Sequence, residues 1–183
     1  MMTDSEKLAL LDRHIDNVGE NCRIVAAELI KAGEFILAKK LVAVSRIHDN
    51  SKYNGIEWDF LDPTHTNKAG LKQAILQHQA TNPHHPQYWG TIQDMPLLYL
   101  VEMTCDWCAR GHEQGTNTRE WIDKEATKRF KFTKDDETYK KIMKYVDMIC
   151  TKPFESLEQI HTEISTTPTQ NEQSSSVAET RAG

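Results

Sequence analysis

The chain has 183 residues, enough for one domain with a proper core. Its formal net charge is -5, with 27% charged and 38% hydrophobic residues. That acidic balance argues against an extended nucleic-acid surface or a basic membrane-binding face. No apolar run approaches the roughly 18 residues that cross a bilayer. The start, MMTDSEKLALLD, is polar from residue 3 and lacks the apolar core of a signal peptide. The expected location is therefore cytoplasmic.

Leu8, Leu11, Ile15, Val18, Cys22, Val25 and Leu29 recur alternately three and four residues apart. This spacing predicts one long helix that ends near Gly33. A second helix is expected from Phe35 to His48, with Leu37, Leu41, Val44 and His48 on one side. Residues 54–70 carry Gly55, Pro63, Asn67 and Gly70 and predict a loop, with a turn of helix at Glu57 to Leu61. A third helix, Lys68 to Gln79, sets Leu71, Ala74, Ile75 and His78 on one side. TNPHHPQYWG is expected to be non-helical, because two prolines and a glycine bracket it. A fourth helix is expected from Met95 to Arg110 and a short fifth from Thr118. A sixth, capped by Thr133-Lys-Asp-Asp136, runs to about Cys150, with one more turn after Pro153.

The expected fold is all-α: a compact bundle of about six helices over residues 1–160. A disordered tail is expected over 161–183, where Ser, Thr, Gln, Glu, Pro and Ala dominate from about Thr166. Cys22, Cys105, Cys108 and Cys150 are too few and scattered for a disulfide framework. Cys105 and Cys108 have no second CxxC beside them, so the thiols are expected to be buried packing residues.

Several histidines and acids fall on apolar faces. His14 lies beside the first stripe, and His48 continues the second, with Asp49 after it. His78 continues the third, and His84 and His85 follow in the proline-bracketed segment. Asp106 sits in the very apolar LLYLVEMTCDWCA, one turn after Glu102. Burying so many titratable groups is costly unless something compensates. A divalent metal would neutralise the carboxylates and take the imidazole lone pairs. Glu102 is expected either to orient a ligand histidine or to sit as a buried acid bonded to a Tyr or Trp.

The order His14, His48-Asp49, Asp106 on successive helices resembles the HD-domain superfamily of metal-dependent phosphohydrolases. HDNSKY, NPHHPQYW and VEMTCDW together resemble a little-characterised HD-like family of phages and bacteria, over roughly residues 10 to 110. That resemblance implies that His14, His48, Asp49 and Asp106 hold a first divalent ion (Mn, Fe, Co, Zn or Mg). His78 with His84 or His85 would hold a second, with Asp49 bridging. HDNSK is similar to the HD-x-[GS]-K form, in which the lysine, here Lys52, faces the substrate's anionic group. The GYP signature of the cyclic-dinucleotide branch is missing, which argues against that esterase activity.

The implied function is hydrolysis of a small phosphorylated metabolite, a nucleotide first of all, by a metal-activated water, with Asp49 and Lys52 as the catalytic residues. Asn82, Tyr88, Trp89 and Trp107 are expected to line the substrate pocket, with core packing as the alternative for Tyr88 and the two tryptophans. Two alternatives share these ligands: an HD-type di-iron oxygenase, and a metal-dependent ligand-binding protein without turnover. A homo-oligomer is also an expectation.

Overall fold

The computed structural model describes residues 2–150. The turn predicted after Pro153, the domain limit at residue 160 and the tail all lie outside those residues. The described chain is helical, with no strand. In chain order the helices are α1 (Asp4–Lys31), α2 (Phe35–Ser45), α3 (Gly55–Asp59), α4 (Lys68–Thr81) and α5 (Pro86–Trp89), followed by α6 (Leu97–Glu113), α7 (Thr118–Trp121), α8 (Thr127–Phe130) and α9 (Glu137–Cys150). No helix among them is long and apolar enough to cross a membrane.

Thr3 starts α1 with a capping box: its hydroxyl accepts from the Glu6 amide, and the Glu6 carboxylate accepts from Thr3 N–H. From there Leu11, Val18, Cys22, Val25 and Leu29 form the buried stripe, whereas Leu8, expected to belong to it, is exposed. This stripe packs on α2, α6 and α9. Helix α6 is the central element, burying Leu100, Val101, Met103, Cys105 and Ala109, and α9 closes the core with Ile142, Tyr145, Val146 and Ile149. Each such aliphatic side chain contributes about 1.5–3 kcal/mol on burial. Asn21 Nδ2 donates to the Cys105 carbonyl across 2.9 Å, tying α1 to α6 inside the core. Cys22, Cys105 and Cys108 are buried free thiols as expected, but Cys150, at the end of α9, is exposed.

Three departures from the expected elements bear on the site. Helix α2 stops at Ser45, not His48, and the chain turns through Asp49 at φ 56° into a 3-10 turn over Asn50–Tyr53. The segment expected to be non-helical contains the single turn α5, because Pro86 is pre-shaped for a first helical position. Its two pre-proline residues, Asn82 and His85, are extended, as the proline rings demand. The short helix expected at Thr118 continues through a π turn, Ile122–Ala126, into α8. Helices α3 and α4 pack together and α5 packs on α4. Gly70 makes the first pairing possible, since a Cβ there would lie 2.0 Å from the Phe60 ring.

Candidate metal centre

His14 sits midway along α1 in the buried stripe. Its Nδ1–H donates to Glu113 Oε1 at the end of α6, 2.9 Å away. Asn17 Nδ2 donates to the same oxygen at 3.0 Å and holds it in place. This leaves the Nε2 lone pair facing inward, 3.1 Å from Asp106 Oδ1 and 3.5 Å from Asp49 Oδ2. His48 repeats the arrangement, with Nδ1–H donating to Glu102 Oε1 at 3.0 Å. His78, on α4, donates Nδ1–H to Glu57 Oε2 at 2.7 Å. Glu57 also accepts from Ser51 Oγ at 2.8 Å, and Asn82 Nδ2 donates to Ser51 Oγ and to the His78 carbonyl, both at 2.9 Å. A carboxylate behind each imidazole fixes its tautomer and makes it a better metal ligand.

Asp49 is the meeting point. Its Oδ1 lies 3.2 Å from His78 Nε2 and 3.4 Å from His84 Nε2, while Oδ2 faces His14. Oδ1 also faces His48 Nε2 at 3.8 Å, so three imidazoles surround Oδ1 while His14 and Lys52 lie at Oδ2. Donor atoms of His14, His48 and Asp49 lie within 4.8 Å of one another, as do those of His78, His84 and His85. His48, His84 and Asp106 form a third such group between them.

Among the described residues, the buried side-chain nitrogen and oxygen atoms without a hydrogen-bond partner are Nε2 of His14, His48, His84 and His85, Oδ1 of Asp49 and Asp106, and Glu57 Oε1. Native proteins leave few such atoms. Here all but the last belong to residues expected from the sequence to be ligands. His14 Nε2 and Asp106 Oδ1 are close but not aligned for a hydrogen bond. Lone pairs aimed at one another across a small volume are what a cation would satisfy.

The electrostatics of the two carboxylates and of His85 agree. Burial would raise the Asp49 carboxyl, but His48, Lys52 and the contacts from His78 and His84 hold it well below the usual range. Burial likewise opposes ionisation of Asp106, and His14 and His48 outweigh it. Both carboxylates stay ionised. Burial pushes His85 down to about 3, helped by His84 and His78, so its imidazole is neutral. For His14 and His48 burial also acts downward, and the surrounding carboxylates raise them on balance.

Lys52 Nζ rests on Asp49 Oδ2. It lines a cavity of about 220 Å³ with His78, His85, Phe60 and Ile75. A second cavity, of about 250 Å³, also touches His85 and includes Trp107. Asn82 supports His78, as described. Tyr88 and Trp89 are on neither wall: Trp89 donates its indole N–H to the Pro83 carbonyl at 2.8 Å and packs near Tyr99, bracing the His84-His85 segment. Glu102 accepts from a histidine, His48, the contact that the first of its two expected roles requires. Glu57, Ser51 and Glu113 were not expected. Glu113 continues the Glu102/Asp106 face two turns on, a detectable signal, whereas Glu57 sits in a short helix with no periodic mark.

The family model of a family of unknown function, DUF5662, matches residues 3–152. The chain belongs to that family. No curated protein and no solved structure matches it. The DUF5662 match covers every residue of the centre, from His14 to Glu113.

Proposed function

We propose that this DUF5662 member is a metal-dependent phosphohydrolase of the HD type, acting on a small phosphorylated metabolite. The observation that carries the reading is the convergence of unpartnered buried donor atoms from His14, His48, Asp49, His84, His85 and Asp106. His14, His48, Asp49 and Asp106 would hold one divalent ion. His78, His84 and His85 would hold a second, with Asp49 shared between them. A divalent cation bound there supplies Lewis acidity and an activated water.

The chain's own groups do the rest. Glu113, Glu102 and Glu57 keep the imidazoles of His14, His48 and His78 in the ligating tautomer. Burial of the ligands excludes bulk water. Lys52, at the cavity edge, is a point cation able to leave Asp49 for a phosphate oxygen.

The test is metal analysis of purified protein, then phosphate release from a panel of nucleotides and sugar phosphates with Mn, Co, Fe, Zn or Mg. One or two ions per chain and metal-dependent release are expected, with release lost in Asp49→Asn. Absence of metal, or full activity in Asp49→Asn, overturns the reading. The presentation of Asp49 to two histidine sets also favours a second reading, a di-iron oxygenase. Bound iron with substrate-dependent oxygen consumption and no phosphate release would select it.

A further inference from the structure

The cavity of about 250 Å³ beside His85 has a composition unlike the rest of this acidic chain. Its charged wall residues are Arg110 and Arg129, and no Asp or Glu lines it. Arg110 spends one N–H on Glu113 Oε2 at 3.2 Å and keeps its remaining donors. Arg129 lies 5.3 Å above the centre of the Phe130 ring and has no carboxylate within ion-pair reach among the described residues. The aromatic wall is braced: Trp107 stacks on Phe130 at 5.6 Å and meets Trp121 edge-on at 5.0 Å. Gly111 lets the far wall close, because a Cβ there would lie 2.1 Å from Thr118 Oγ1.

His85, one of the candidate ligands, forms part of the wall of this cavity, which places the cavity beside the candidate centre. Arg129, without an ion pair among the described residues, and the donors that Arg110 keeps beyond its bond to Glu113 suit an anion in a cavity lined by no carboxylate, and the planar fork of arginine fits carboxylate or phosphate oxygens in pairs. We propose that Arg110 and Arg129 form a second anion subsite, so that the substrate carries two anionic groups, one at the metal centre and one clamped between the arginines. This rests on the phosphohydrolase reading for the identity of the first group.

The test uses the full chain loaded with Mn(II) and probes that cannot be hydrolysed: phenylphosphonate, and its 3- and 4-carboxy derivatives. Calorimetric titration reads their affinities. At least one carboxylated probe is expected to bind about fivefold or more tighter than phenylphosphonate, the weaker end of a charge-assisted bond near the surface. Arg129→Gln alters an exposed side chain that makes no hydrogen bond or ion pair with a candidate ligand of the metal centre. It is expected to abolish that preference, leave phenylphosphonate binding unchanged and leave the helical circular dichroism intact. Equal affinities in the wild type, or a preference that survives Arg129→Gln, overturns the subsite. Preference without phosphate release from any ester overturns the phosphohydrolase reading and leaves the subsite standing; release without preference does the reverse.

Discussion

Asp49 occupies left-handed backbone space at φ 56°. Non-glycine residues enter that region at a cost, and Asp is among those that bear it best. The return on this conformation is geometric. Consecutive residues on a continuing helix diverge by about 100°, so His48 and Asp49 could not address one centre from α2. Leaving the helix after Ser45 lets both do so. The histidine supports matter equally. Glu102 holds His48 at 3.0 Å and approaches His84 Nδ1 at 3.9 Å. Glu102→Gln keeps the shape and removes the charge. Metal affinity by calorimetric titration is expected to fall about 10–100-fold, with unchanged circular dichroism; an unchanged affinity would reduce Glu102 to a space filler. The candidate ligand residues stood out in the sequence because polar groups on apolar faces are anomalous. Of their supports only Glu102 was singled out: Glu57, in a one-turn helix, and Ser51, in a 3-10 turn, carry no periodic mark until folding brings them to His78.

Helices α1 and α6 are built on different uses of glycine, and this separates two substitutions. Gly19 lies in the interior of α1, where an added Cβ would meet only Arg23 Nη1 at 3.7 Å. Gly19→Ala should stabilise the fold by roughly 0.5–1 kcal/mol, through helix propensity and loss of unfolded-state freedom. Gly111, on α6, faces Thr118 Oγ1 at 2.1 Å and the Thr116 carbonyl at 3.3 Å from the same notional atom. Gly111→Ala should cost about 1–3 kcal/mol by overpacking and displace residues 116–118. Urea denaturation of the two variants checks both signs. The long periodic helices α1, α4, α6 and α9 were readable from apolar spacing, with ends shifted by only a few residues. The turn at residues 46–49 was not, because Val44 and His48 keep the helical interval while the backbone departs from it.

Taken as a whole, the fold sets α1, α2 and α6 as a frame, and bonds from Lys7 to the Trp58 carbonyl and from Tyr53 to Asp12 tie the α3 region to α1. Candidate ligands come from both parts, so a cation bound by the folded chain and not by the unfolded one should staple them. At 100 times its Kd such a ligand adds about 2.7 kcal/mol. Thermal unfolding should then rise by about 5–10 °C for a domain of this size. Asp49→Asn should show no such rise in a melting experiment, and a wild type indifferent to every divalent ion would remove the metal from the account. Composition and periodicity alone were enough for an all-helical chain with buried His14, His48, Asp49, His78 and Asp106, because burial patterns repeat locally along the chain. Which imidazole meets which carboxylate, that Asp49 faces both histidine sets, and that Arg110 and Arg129 share an acid-free cavity were decided by the tertiary structure. Those pairings join residues up to 99 positions apart, as His14 to Glu113, and no local regularity encodes a distance that only packing creates.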